Sequence, residues 1–227
     1  MKITSKSFRS LLLSAVSLTG LLLAFSEASA TVTVPFGVQQ NIPFSTVTNT
    51  WGWTLTYQGT YNQTVALSTL YAGVNPGDYV MYAARPVGSS VITLLAAANE
   101  ADVRTVTAWN QTTASNGAEW YYNGGSIGFA GAGLTIHQNN ADVNSSGLYG
   151  GTSDGNGSTR LTWHTSGGYG NAPTSVNGGW RAGETVELNS STDWERLVFV
   201  ASPIPEPTAA VLPGLALLGL ASRRRRC

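Results

Sequence analysis

The chain has 227 residues, no formal net charge and one cysteine, Cys227, at its last position. A single cysteine excludes an internal disulfide and any zinc site built on several thiolates. The charges are uneven: residues 31–202 hold five arginines against ten acidic residues, a net charge of about −5. An acidic domain lacks the basic surface that nucleic acid requires, so nucleic acid is excluded as a partner.

Residues 1–30 have the pattern of an export signal. Three basic residues lie within the first nine positions, an apolar run covers residues 11–25, and Ala28 and Ala30 form a small-x-small cleavage motif. These three features occur in the order that signal peptidase recognises. The alternative is an uncleaved membrane anchor, which the polar pair at residues 26–27 disfavours. We therefore predict cleavage by signal peptidase after Ala30, with a mature chain that begins at Thr31.

Residues 31–202 form one domain of roughly 170 residues, long enough to bury a core. Turn motifs such as Asn-Pro-Gly-Asp and Asn-Gly-Gly separate short runs of β-branched and aromatic residues. Frequent turns without a long amphipathic helix predict a mainly β fold, an antiparallel β-sandwich or a jelly-roll-like domain. The predicted strands are 51–57, 63–70, 78–84, 90–97, 102–109, 133–137, 160–164, 185–188 and 196–201.

Three segments allow more detailed predictions. Leu161 and Trp163 alternate with polar neighbours and should share one face of a strand, which leaves His164 towards solvent. The run 197–200 is apolar on both faces and predicts an interior strand. Residues 91–106 are ambiguous, because their leucine- and alanine-rich centre also suits a helix. Residues 138–159 and 165–180 are expected to be long loops.

One group of aromatic residues is a candidate sugar-binding site. Trp120, Tyr121 and Tyr122 follow one another directly and precede Asn123. Aromatic rings offer flat apolar surfaces to sugar faces, and an amide can hydrogen bond to hydroxyls. The alternative is that these rings fill the core. A carbohydrate-binding, lectin-like module is therefore one candidate function.

Catalytic and metal-binding patterns are weak. His137 and His164, the only histidines, have no metal-ligand spacing, and no Gly-x-Ser-x-Gly motif is present. The segment 154–158 alternates oxygen-bearing residues with glycine, but Thr165 stands where a calcium loop would need Glu. We predict no metal site and no cofactor. A secreted glycoside hydrolase stays as an alternative, with an acid pair drawn from Glu184, Glu187, Asp193 and Glu195.

Residues 203–227 have three parts. A proline-rich stretch contains Pro205, Glu206 and Pro207, and the apolar run 208–222 follows it. As a helix at ~1.5 Å per residue, this run would be about 22 Å long, short of a ~30 Å hydrocarbon core. It predicts a short transmembrane helix that is a marginal permanent anchor. Four arginines would then stay cytoplasmic as a stop-transfer signal: Arg223, Arg224, Arg225 and Arg226.

This tail resembles the PEP-CTERM sorting signal of Gram-negative bacteria in its Pro-Glu-Pro motif, its short apolar helix and its terminal arginine cluster. The resemblance is confined to about the last 25 residues. It implies that an exosortase-type membrane protease cuts near Pro205–Pro207 and passes the protein to the cell surface. It implies little about the domain, because such tails follow many unrelated domains.

Together these patterns predict an exported protein with a structural or interaction role and no enzymatic activity. Signal peptidase and the exosortase-type protease are its expected partners, with exopolysaccharide as a candidate third. We expect the chain to cross the inner membrane, to be anchored there transiently, and then to reach the outer surface or the extracellular matrix.

Overall fold

The computed structural model of the protein describes residues 32–134, 136, 157–168 and 170–203. This part is mainly β, with 47% strand and 14% helix. Its strands are β1 (Gln39–Pro43), β2 (Thr54–Thr60), β3 (Thr64–Ala66), β4 (Tyr79–Pro86), β5 (Val91–Asn99), β6 (Thr113–Ser115), β7 (Ala118–Tyr122), β8 (Gly124–Gly131), β9 (Leu161–Gly168), β10 (Ser175–Asn177), β11 (Arg181–Ala182) and β12 (Trp194–Ala201). Its helices are short: α1 (Leu67–Leu70), α2 (Glu100–Val103), a π-helical turn (Thr46–Thr50) and two 3₁₀ turns (Gly157–Thr159 and Leu188–Ser190).

The strands form two antiparallel sheets. The first has five strands in the order β1-β5-β4-β12-β2. The second has the order β3-β10-β9-β8-β7-β6, with β11 also paired to β9. Because β2 belongs to the first sheet and β3 to the second, the chain changes sheets at the short corner between Thr60 and Thr64. That corner brings the edges of the two sheets together on one side of the fold.

Facing side chains of the two sheets form one central cluster. The first sheet contributes alternate residues, such as Tyr82 on β4 and Val198 on β12, and the second contributes Trp120 on β7 and Trp163 on β9. Leu161 belongs to the same cluster, so the prediction that it shares a face with Trp163 is confirmed. Alternation explains this arrangement, because successive residues of a strand point to opposite faces.

The first sheet is also covered on its outer face. A second cluster there contains Met81, Leu95 and Phe199, with the partly buried segment around Val32 and Val34 packed against it. Strands β4, β5 and β12 are therefore buried on both faces, which explains their nearly continuous apolar sequences. The prediction of an interior strand at 197–200 is confirmed, since β12 pairs with β4 on one side and β2 on the other.

Several predicted elements agree with the structure and others do not. Strands predicted at 51–57, 78–84, 90–97, 160–164 and 196–201 overlap β2, β4, β5, β9 and β12, and the ambiguous segment after Val91 is strand up to Asn99. The prediction of strand at 102–109 is wrong, because α2 ends at Val103 and irregular chain follows. At 185–188 only Thr185 forms a bridge, to Ala182.

Other segments differ in part or lie elsewhere. The predicted strand 63–70 is divided into β3 and α1, and the predicted loop 165–180 contains the end of β9 and all of β10. Strands β1, β6, β7, β8, β10 and β11 were not predicted. The predicted export signal, most of the loop 138–159 and the tail from residue 204 onward lie outside the described residues.

Both ends of the described chain leave the fold at the same end of the first sheet. The backbone N–H of Thr33 donates to the Trp51 carbonyl at 3.0 Å, and the Trp53 indole donates to the Thr33 carbonyl at 2.8 Å. Strand β2 begins directly afterwards at Thr54, which pairs with Val200 near the end of β12. The N-terminal segment is thus fixed close to the point where β12 ends.

Candidate functional site

The aromatic run on β7 does not form an exposed sugar-binding platform. Trp120, Tyr121 and Tyr122 have exposed fractions of 1%, 0% and 4%. Trp120 and Tyr122 belong to the central cluster, and Tyr121 belongs to a small cluster on the opposite face of the second sheet. Three consecutive strand residues cannot share one face, so a flat platform would need residues two apart. These rings fill the interior, as the alternative interpretation held.

Asn123 has a structural role in the turn between β7 and β8. Its side chain is buried, and its Oδ1 accepts hydrogen bonds from the backbone N–H groups of Gly125 and Ser126 at 3.0 and 3.2 Å. Its Nδ2 donates to the Thr107 hydroxyl at 3.2 Å. An asparagine engaged with its own turn in this way is typical of an Asx-type turn. Its amide is therefore turned inward and is not presented to a ligand.

The central cluster contains tyrosines that are neutral at ordinary pH. The hydroxyls of Tyr71 and Tyr82 hydrogen bond to each other, and the Tyr61 hydroxyl accepts a hydrogen bond from the Trp163 indole at 3.2 Å. Burial raises the pKa of Tyr61, Tyr71 and Tyr82 above the usual value of a phenol, because a phenolate cannot be solvated there. These hydroxyls therefore stay protonated and serve as hydrogen-bonding groups inside the cluster.

His164 does not stand alone in solvent. It is half-buried, and its ring stacks on that of Trp180 with the centroids 5.8 Å apart and the planes at 15°. Trp180 is positioned beside β9 by the hydrogen bond from its backbone N–H to the Thr162 carbonyl, at 2.8 Å. His137 lies outside the described residues. No pairing of the two histidines can therefore be assigned.

The four acids considered for glycoside hydrolysis lie in different environments. Glu195 is buried, forms an ion pair with Arg85 at 2.5 Å and accepts a hydrogen bond from Gln58 at 2.7 Å. Glu187 and Asp193 are exposed next to a 3₁₀ turn and β12, and Glu184 is exposed at the rim of a pocket. Because Glu195 is engaged by two partners inside the fold, it is not available as an acid or base in an open cleft.

Within residues 32–134, 136, 157–168 and 170–203, no group of three or more His, Cys, Asp or Glu side chains is placed to hold a metal ion. Asp154 and its neighbours up to residue 156 lie outside that part, and the segment that follows is the 3₁₀ turn at Gly157. No helix in the described part of the chain is both long and apolar enough to cross a bilayer.

A polar pocket of about 180 Å³ lies where an edge of the first sheet meets two turns of the second. Gln40 and Asn41 on β1 and Thr93 on β5 line one wall, and Glu184 and Thr185 of the turn after β11 line the other. Leu94 and Ala182, which are almost fully buried, also line it. The pocket therefore offers both polar and apolar groups to a ligand.

Two contacts give this pocket a defined shape. The Gln40 side-chain amide donates to the Ser158 carbonyl at 2.7 Å, which joins the two sheets at the rim. The Glu184 carboxylate lies against Gly157, where an added Cβ atom would come within 3.1 and 3.2 Å of its two oxygens. Glycine at position 157 therefore leaves room for the carboxylate beside that turn.

Sequence patterns do not single out this site. In the sequence, Glu184 is one of four candidate acids, and no pattern joins it to Gln40, Asn41, Thr93 and Thr185, which come from separate segments. The pairing of β1 with β5 and of β11 with β9 brings them together. One local signal exists: Asn41 has a φ of +55°, a left-handed conformation that asparagine tolerates better than most residues. This left-handed conformation of Asn41 makes the backbone of edge strand β1 irregular at the pocket.

Comparisons of this chain with protein-family models, with curated proteins and with solved structures found no match.

Proposed function

We propose that this chain is an exported cell-surface or exopolysaccharide-matrix protein with a structural or interaction role. In this proposal, residues 31–202 are a β-sandwich ectodomain, released by signal peptidase at Ala30 and processed at Pro205–Pro207 by an exosortase-type membrane protease. The tail motif and the export signal supply the basis for sorting. The two facing antiparallel sheets with one shared core support the sandwich assignment.

The observation that carries the proposal is the common exit of both chain ends. Thr33 is hydrogen bonded beside the start of β2, and that start pairs with the end of β12. Until signal peptidase and the exosortase-type protease cut, the chain has an apolar segment at each end, and a fold whose two ends lie side by side suits a chain held at one membrane surface. The topology allows this placement without any rearrangement, because one end of the first sheet can face the membrane.

The fold also sets a limit on where the tail can be cut. Strand β12 is interior and contributes to both the central and the outer cluster up to Ala201, so a cut before that residue would remove part of the core. From Ala201 to the apolar run at Thr208, an extended chain reaches at most about 25 Å. The Pro-Glu-Pro motif lies within this short stretch, beyond the last strand and ahead of the membrane segment.

Processing is tested by expressing the chain in a Gram-negative host that has an exosortase and analysing its surface fraction by mass spectrometry. We expect a mature form that begins at Thr31 and lacks the residues after about Pro207. The substitution Glu206→Ala should leave an uncut precursor in the membrane. Replacement of the four terminal arginines should impair retention of the precursor before cutting. The matched control is Ser202→Ala, an exposed position close to the motif that should leave processing unchanged.

Two outcomes contradict the proposal. Recovery of peptides through Ser222 in the dominant surface form would mean that the tail is only an anchor. A surface form that still begins at Met1 would remove the export signal from the proposal.

A further inference from the structure

We propose that the polar pocket between β1, β5 and the turn after β11 binds a single neutral sugar unit, such as one residue of a polysaccharide. The site goes beyond the proposed function, because its geometry does not depend on the export signal or the tail. It also differs from the aromatic run on β7, which the fold buries.

Unused hydrogen-bonding capacity is the first observation. In the described part of the chain, Asn41, Thr93, Glu184 and Thr185 line the pocket, and their side chains form no hydrogen bond or ion pair with the protein. Elsewhere in the fold, the side chains of Gln58, Thr107 and Asn123 have partners. Four residues of this kind around one concavity can donate to and accept from a ligand at several points.

The hydroxyl, amide and carboxylate groups around the pocket favour one class of ligand. Hydroxyls and an amide both donate and accept hydrogen bonds, which suits the hydroxyls of a sugar. The Glu184 carboxylate accepts strongly and repels anions, so phosphate and acidic sugars are disfavoured. A lone carboxylate supplies too few oxygens for calcium, which takes 6–8. The volume of about 180 Å³ is below that of ordinary small-molecule pockets, which favours one sugar ring and not an extended chain.

Preorganisation is the second observation. Gln40 joins β1 to the 157–159 turn through its bond to the Ser158 carbonyl, so the two walls are held together in the absence of ligand. Gly157 leaves space for the Glu184 carboxylate, and its backbone is not in the left-handed region, so alanine is tolerated there. Gly157→Ala should therefore displace the carboxylate while the fold is kept. A pocket with its walls fixed in advance loses less entropy on binding.

The test uses the exported full chain and a panel of methyl glycosides. The panel contains neutral hexosides, N-acetylglucosaminide, glucosaminide and glucuronide, with inorganic phosphate as an anion control. Binding is followed by ligand-observed NMR and titration calorimetry. We expect millimolar binding of at least one neutral glycoside and none of glucuronide or phosphate. Protein purified in detergent from a host without an exosortase should bind equally well, so failed sorting and failed binding can be told apart.

Substitutions then locate the site. Glu184→Gln should weaken binding by about tenfold and Thr93→Val by about fivefold, since each removes a hydrogen bond to the ligand. Gly157→Ala should weaken it as well, with unfolding unchanged. The matched controls are Glu187→Gln, an exposed acid that does not line the pocket, and Thr64→Val, an exposed threonine on β3. Their binding should equal that of the parent protein.

Three results would overturn the proposal. The first is the absence of binding to every neutral glycoside. The second is binding that Glu184→Gln and Thr93→Val leave unchanged. The third is preference for glucuronide or phosphate, which the carboxylate should repel.

Discussion

The two faces of β12 bury charge in different ways. Glu195 faces the outer cluster and pairs with Arg85, whose guanidinium also lies over the Phe44 ring with its carbon 4.4 Å from the centroid. Arg196, the next residue, faces the central cluster and is fully buried. Its two terminal nitrogens donate only to backbone carbonyls: that of Gly178 at 3.0 Å, that of Thr60 at 3.0 Å and that of Gln63 at 2.5 Å. One face thus uses an opposite charge, and the other uses backbone dipoles.

This difference follows from what each face has to join. On the outer face, the Arg85–Glu195 ion pair lies at the edge of an apolar cluster, close to the surface. On the central face, Arg196 joins the corner between β2 and β3 to the segment after β10 by donating to carbonyl groups of both. A guanidinium reaches several carbonyls at once because its donors lie in a rigid fork. Burial lowers the pKa of Arg196, mainly because desolvation disfavours its charged form.

The largest expected effect concerns three buried tyrosines of the central cluster. In the unfolded chain a tyrosine has a pKa of about 10, and the folded pKa is higher for Tyr61, Tyr71 and Tyr82. The folded state therefore binds more protons above pH 10, and stability is lost as the pH rises. Each tyrosine contributes about 1.4 kcal/mol per pH unit, so the free energy of unfolding should fall by about 4 kcal/mol at pH 11.

Urea denaturation at a series of pH values, with phenolate absorbance recorded in parallel, measures this loss. Tyr82→Phe keeps the ring and removes one hydroxyl, so it should reduce the alkaline loss by about one third. Phe44→Leu in the outer region is the control and should leave the pH dependence unchanged. If the free energy of unfolding decreased by less than about 1 kcal/mol at pH 11, the buried phenols would not resist ionisation.

The next effect concerns Arg196 itself. Arg196→Met keeps much of the side-chain volume but removes a donor from three carbonyls, of which that of Thr60 keeps the Gln63 N–H at 3.2 Å. The free energy of unfolding should fall by about 3 kcal/mol, because removal of a desolvated charge offsets part of the loss. Thermal and urea unfolding measure the change, and Arg104→Met, which removes an exposed ion pair with Glu100, is the comparison and should cost less. A loss below about 1 kcal/mol would show that water replaces the guanidinium at these carbonyls.

The sequence predicts the apolar strands of this fold better than its polar or glycine-rich parts. The apolar patterns of Leu197–Val200 and Leu161–Trp163 predict the strands and the buried faces that the structure has. Strand β8 escaped prediction because it is rich in glycine, which has low β propensity and leaves no side-chain pattern to interpret. Gly179 illustrates the same limit: its lack of a side chain makes room for the rings of Tyr61 and Trp163, a role visible only in three dimensions.

The candidate site was hidden for a related reason. An aromatic run such as Trp120–Tyr122 attracts attention in a sequence, but strand alternation sends its members to opposite faces. The pocket residues are ordinary polar residues from four segments, and only the pairing of the strands assembles them. Sequence can therefore indicate the class of fold, whereas this kind of site depends on sheet register.

The smallest expected effect concerns the ion pair on the outer face. Glu195→Gln keeps an acceptor for Gln58 but removes the charge opposite Arg85, which should lower the free energy of unfolding by about 2 kcal/mol. Arg85 is near the surface and retains the Ser89 carbonyl as a partner at 2.7 Å, so its charge is not left isolated. This is why the effect should be smaller than that of Arg196→Met.

A double-mutant cycle separates the pair from its surroundings. Arg85→Met and Glu195→Leu should each cost about 2 kcal/mol, because each leaves one buried partner without its counterpart. The double variant should recover most of this loss, since two apolar side chains of similar size can extend the outer cluster. Urea denaturation of the four proteins gives the coupling energy. Additive losses would mean that Glu195 and Arg85 act separately. The two faces of β12 would then differ in where their charged residues lie, and not in whether an opposite charge or backbone carbonyls stabilise them.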